Sequence, residues 1–269
     1  MSQIVDKNGR IVPTEKERVY SLVDRKYFCL HQPEIALSRI YNNFVEVLGK
    51  ETLVNLSENE FKQKFENLVS QLKTDSNLSN LLQGVYVPFI LPKKNSLGKN
   101  PITGLVQAAG KSFNGKFPEF DFQLISDVKL DSDLEIRQNS SWEILDNAWS
   151  QGPVVGIYFP TAMSGFAFPD YTSVVSRLNG NTLNGNTLVL SGIPEVASAI
   201  TGSPDLLMKR DGKYPNLLAL AAFIERDVAQ KHFFHFFEAY GWNLYFNRRS
   251  YLGAVSEYYS GGLSFVNTH

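Results

Sequence analysis

A single cysteine in 269 residues leaves no partner for an intramolecular disulfide, which excludes the usual framework of a small secreted scaffold. The opening run Met1-Ser2-Gln3-Ile4-Val5-Asp6-Lys7 lacks the apolar core of an export signal. The longest strongly apolar stretch, Leu217 to Ile224, falls far short of the ~20 residues that cross a bilayer. No membrane association is therefore expected, and the expected compartment is the cytoplasm. An excess of charge is missing too: 26 Lys and Arg stand against 27 Asp and Glu. Such a balance makes no long-range field for a polyanion, so no nucleic-acid partner is expected. The pairs Lys93-Lys94 and Arg248-Arg249 are short enough to be solvated turns.

Signature motifs are absent as well. The chain has no Gly-x-Gly-x-x-Gly, no Gly-x-Ser-x-Gly and no Cys-x-x-Cys. Gly104-Leu105-Val106-Gln107-Ala108-Ala109-Gly110-Lys111-Ser112 approaches a phosphate loop but spaces its glycines one residue too far apart. The residues after it, Phe113 to Pro118, read as loop, so the helix that would complete a phosphate cradle is not expected. Cys29 lies in the apolar context Tyr27-Phe28-Cys29-Leu30 and reads as a buried, inert thiol.

What is present is a globular composition, 43% hydrophobic and 20% charged. The length suits one domain over residues 1–269, in which residues 1–83 could stand as a helical subdomain before a sheet-containing body, 84–269. A chain of this size can bury enough surface to fold without a disulfide or metal staple. Leu37, Ile40, Tyr41, Phe44, Val47 and Leu48 recur at helical spacing between Pro33 and Gly49. Ser57 and Glu60 form a capping-box pattern ahead of a Phe61, Phe65, Leu68, Val69 and Leu72 stripe. Val85 to Leu91 reads as a strand that Pro88 confines to a sheet edge or to a bulge. Residues 92–118 read as a long loop with one helical turn near Leu105 to Ala109. Phe120 to Val128 and Leu134 to Ile136 alternate as half-buried strands. Val154 to Phe159 is apolar throughout, as a central strand would be, with Gly165 to Phe168 as its candidate antiparallel neighbour. The tandem Asn-Gly-Asn-Thr-Leu repeat from Asn179 to Leu188 reads as a surface loop or hairpin tip. Pro215 to Tyr240 reads as a long helix stopped by Gly241, and Trp242 to Val266 as two or three strands. Helices, strands, a helix and further strands in that order give an α+β fold with a mostly antiparallel central sheet.

The expected C-terminal helix carries the first candidate site. At helical spacing its phenylalanines fall on one side, and Glu225, His232, His235 and Glu238 on the other. His232, His235 and Glu238 are the candidate catalytic residues, since imidazoles beside carboxylates suit acid–base work. Glu225, His232 and His235 are the candidate metal ligands; a solvated polar face is the competing reading. The tail carries the second candidate. Trp242, Tyr245, Arg248, Arg249 and Glu257 crowd together, and aromatics with arginine can line a pocket for a planar or anionic ligand. Core plus rim is the alternative there.

Gly241-Trp242, nine residues, Leu252-Gly253 and then Ser256 resemble the C-terminal signature of a bacterial family known only as a domain of unknown function. Val87-Pro88-Phe89-Ile90 and Pro204-Asp205-Leu206-Leu207 are similar to other segments of it. After the Gly-Trp the family is rich in Trp, Cys and His, where this chain has Tyr, Phe and Arg. The resemblance implies no activity.

These features lead to the expectation of a protein that handles a small molecule, an enzyme if chemistry follows, with its pocket between the sheet and the C-terminal helix. The alternative is a non-catalytic interaction protein or homo-oligomeric scaffold whose aromatic segments form the contact surface. The sequence names no cofactor.

Overall fold

A computed structural model describes residues 4–19, 31–179, 187–208, 216–226, 233–250 and 259–266. Cys29 and most of the Asn-Gly repeat lie outside these residues. The fold is α+β.

The first helix, α1 (Leu37–Leu48), begins four residues after Pro33 and buries Ile40, Tyr41 and Phe44. Helix α2 (Glu58–Thr74) starts as its capping box requires. Ser57 Oγ accepts the Glu60 N–H at 3.3 Å and the Glu60 carboxylate accepts the Ser57 N–H at 2.6 Å. Its buried stripe is Phe61, Phe65, Leu68 and Leu72. Tyr41 stacks on Phe61 and donates its hydroxyl to the Leu56 carbonyl, which joins the two helices.

After strand β1 (Val87–Leu91), the expected long loop is mostly helix α3 (Pro101–Lys116). Two features hid it. Its free N–H groups at Ile102 and Thr103 are capped by Asp131, which is remote in sequence. Its glycines signalled loop, yet Gly110 is there for close packing: a Cβ at that position would lie 2.1 Å from the Phe122 ring. Gly104 to Ser112 thus lies inside a helix and forms no phosphate loop.

There follow β2 (Phe122–Leu124), β3 (Leu134–Ile136), α4 (Trp142–Gln151), β4 (Val154–Phe159), α5 (Tyr171–Asn179), β5 (Thr187–Leu190) and α6 (Ile193–Gly202). The expected strand over Phe120 to Val128 therefore shrinks to three residues. Gly165 to Phe168 does not pair with β4; Phe166 bridges Val19 instead.

The chain ends its described course with β6 (Asn216–Leu220), β7 (Phe223–Glu225), β8 (Phe233–Tyr240), β9 (Asn243–Ser250), β10 (Tyr259–Gly261) and β11 (Leu263–Val266). The long helix expected from Pro215 to Tyr240 is thus replaced by strands. The reason is burial on both faces of β8. Phe234 and Phe236 are buried on one side, His235 and Phe237 on the other. A strand covered on both faces reads as a continuous apolar run, and periodicity cannot separate that from a buried helix.

Strands β1, β4, β11 and β5 form an antiparallel sheet in that order. Strands β10, β6, β8, β9 and β2 form a second, antiparallel at its centre and parallel at both outer pairs. Strands β3 and β7 make a separate antiparallel pair. As Pro88 requires, β1 is an edge strand. That edge is sealed by α6, whose Ser198 hydroxyl accepts the Ile90 N–H at 3.0 Å and donates to the Ile90 carbonyl. Helix α6 is buried at every position, as expected of a helix apolar all round. Its last carbonyls are capped from α1 and α3: Asn43 donates to Gly202 O and Ser112 to Thr201 O. Among the described residues no helix is long and apolar enough to cross a membrane.

Candidate functional site

Exchanging a helix for strands changes which side chains share a face. On β8 the period is two, so His235 and Glu238 point to opposite sides of the sheet. They cannot act together as the helical spacing suggested, and among the described residues no C-terminal helix is present to form the expected pocket against the sheet. His232 and Glu257 lie outside the described residues. Arg249 is described by register alone, opposite Phe234, and Tyr245 pairs with Glu238. Trp242 sits in the two-residue turn between β8 and β9 and stacks on Phe120.

Three of the sequence candidates nevertheless converge. His235 lies directly across from Arg248 on β9. Arg248 Nη1 reaches both oxygens of the Glu225 carboxylate, at 2.9 and 3.2 Å. Its Nη2 meets Asp127 at 3.1 Å. The two carboxylates differ in setting: the side chain of Glu225 is 7% exposed and that of Asp127 77%, with the arginine between them at 31%. His235 is buried, its ring stacked on Phe246, with Nε2 3.4 Å from Ser126 Oγ. Burial, reinforced by the Arg248 charge, lowers the imidazole pKa to about 4. The ring is therefore neutral near pH 7, with one nitrogen able to accept a proton.

Ser126 and Asp127 were missed in the sequence. They follow the edge strand β2, which the Ile125 N–H ties to Phe246 O at 2.9 Å. Neither forms a local pattern with β8 or β9, so no spacing signal could have revealed them. The assembled group is an arginine held on one side by a buried carboxylate and on the other by a solvated one, beside a serine hydroxyl and a neutral imidazole. Among the described residues no group of three His, Cys, Asp or Glu side chains is placed to hold a metal ion.

A second polar centre lies in the core. Glu195, in the first turn of α6, is fully buried. It accepts the Gly192 N–H and the Trp142 indole N–H, the latter 3.0 Å from each carboxylate oxygen. Burial raises its pKa to about 7, opposed by those hydrogen bonds. Trp142 also lines a surface cleft of about 310 Å³, with Trp149, Phe223, Lys94, Asp146 and Arg226 among its other walls.

Comparison with family models, with curated proteins and with solved structures finds no match for this chain.

Proposed function

We propose that the protein binds a small anionic molecule, a carboxylate or phosphate, at Arg248, with Ser126 contacting the rest of the ligand and His235 behind it. The observation that supports this reading is the inequality of the two carboxylates that meet Arg248 among the described residues. Glu225 is buried and fixes the guanidinium in place. Asp127 is solvated, and an exposed ion pair of that kind contributes only about 0–1 kcal/mol. An incoming anion can displace it and keep the same geometry, since guanidinium presents a planar fork suited to carboxylate and phosphate.

The Ser126–His235 contact favours a catalytic form of the same reading. The neutral imidazole can take the hydroxyl proton as Ser126 Oγ adds to the carbonyl carbon of an ester held beside Arg248. Its lowered pKa favours passing that proton at once to the departing alcohol as the ester C–O bond breaks, which leaves an acyl-Ser126 for water to hydrolyse. Calorimetry against acetate, citrate and inorganic phosphate tests the binding step. One of them should bind, R248A should abolish that binding, and D127N should tighten it up to about fivefold by removing the competing carboxylate. Unchanged binding in R248A, or no anion bound at all, would sink the proposal. Labelling of Ser126 by a fluorophosphonate, lost in H235A, separates the catalytic form from simple binding.

A further inference from the structure

Glu195 is placed differently from any other carboxylate described above. It caps its own helix from inside the core, and one of its donors, Trp142, is also a wall of the cleft. Gly192 binds the two together. Its N–H donates to Glu195, and its backbone packs so closely on the cleft walls that an added Cβ would lie 2.5 Å from the Phe223 ring and 2.7 Å from the Trp142 indole nitrogen. Trp142 and Phe223 meet edge to face, with centroids 4.7 Å apart. A change in how the carboxylate holds the indole is therefore passed to the cleft through direct contacts.

We propose that Glu195 and Trp142 form a proton-sensing pair, in which a proton arriving on Glu195 frees the indole N–H from one carboxylate oxygen and reshapes the cleft wall made by Trp142 and Phe223. The proton comes from solvent and adds to a carboxylate oxygen; no other bond is made or broken. An ionised carboxylate accepts from Trp142 at both oxygens, whereas a protonated one turns one oxygen into a donor that needs an acceptor of its own. Acceptors are at hand. Ser264 reaches Glu195 from β11, and Tyr158 faces it from β4. Ser191 precedes Gly192 and lies beside Tyr158. The hydroxyls of Tyr158, Ser191 and Ser264 are buried and, among the described residues, make no well-formed hydrogen bond. Tyr158 is the titratable neighbour, and burial followed by the Glu195 charge raises its pKa well above 10, so it stays neutral. Proton uptake is thus centred on Glu195, and a small molecule bound in the cleft is linked to pH through it.

The test follows tryptophan emission from pH 5.5 to 8.5 in a W242F chain, which leaves Trp142 and Trp149 as the emitters. A single sigmoidal change with its midpoint near pH 7 is expected, and E195Q should flatten it. A flat profile in the W242F chain, or the same sigmoid in W242F/E195Q, overturns the proposal. If E195Q does not fold, NMR of the W242F chain decides the matter. A glutamate carboxyl carbon should titrate near pH 7 with the Trp142 indole N–H resonance moving in step. An indole resonance that stays fixed through that titration rejects the coupling.

Discussion

Ser198 shows how much one side chain can carry in this molecule. Its hydroxyl is both acceptor and donor to Ile90, on the outer edge of β1. An open edge strand invites pairing with another chain, and this one is closed without any further strand. Ser198→Ala would leave a buried N–H and a buried carbonyl unsatisfied, each costing roughly 1–3 kcal/mol. Urea unfolding should therefore show a loss of about 2 kcal/mol or more, larger than an exposed serine would give. A loss under half a kcal/mol would mean that the edge finds other partners. Pro88 belongs to the same arrangement. It shares its outward side with Ile90, two residues on, so its missing N–H falls on the edge away from β4.

Among the elements, the β8–β9 hairpin separates what the sequence made legible from what it did not. Gly241 reads as a helix stop, yet Gly241 and Trp242 have φ values of +57° and +71° and form a two-residue turn between paired Tyr240 and Asn243. Consecutive positive φ values mark the type I′ turn that suits strand twist. The local signal was real, because a glycine there ends an element; which element it ends depends on burial, and burial on both faces of β8 is a tertiary fact. The capping box of α2, the edge proline of β1 and the all-apolar β4 were readable because each cause is local. Helix α3 and the Ser126–Asp127 side of the site were not, since Asp131 caps the one from afar and the strand register assembles the other. Glu225, His235 and Arg248 stand out in the sequence for their chemistry and do meet, by a geometry different from the helical one. Trp242 gives a prediction at this scale. Glycine there relieves about 1–2 kcal/mol of left-handed strain and loses about 0.5–1.5 kcal/mol of stacking on Phe120. Trp242→Gly should thus change unfolding free energy by no more than about 1.5 kcal/mol. Trp242→Val keeps the strain, loses the stack and should be destabilising; equal effects from both would show that φ is not the constraint.

For the whole molecule, two buried groups pull stability in opposite directions with pH. Glu195 has its pKa raised from 4.5 to about 7, so its contribution is full below pH 4.5 and is lost as pH rises through 7. His235 has its pKa lowered from 6.5 to about 4, so its contribution is full above pH 6.5 and is lost as pH falls through 4. Each displacement corresponds to roughly 3 kcal/mol, and between about pH 4.5 and 6.5 the two slopes offset each other. Denaturant titrations across that window should find E195Q gaining stability as pH rises and H235Q losing it, with the unsubstituted chain flatter than either. Parallel profiles for the two variants would contradict the assignment.

Of the connections between the two main sheets, the last is a single residue, Gly262. Strand β10 lies at the end of the five-stranded sheet, and after Gly262 the backbone enters β11, between β4 and β5 in the other. During synthesis, β4 and β5 therefore leave the ribosome with the strand that belongs between them still to be made, and they stay apart until residues 263–266 emerge. Such late, distant pairing is slow and leaves strand edges open meanwhile. The nascent chain should depend on chaperones until that last insertion, and a stop codon anywhere before Leu263 should yield aggregates in place of a smaller folded protein.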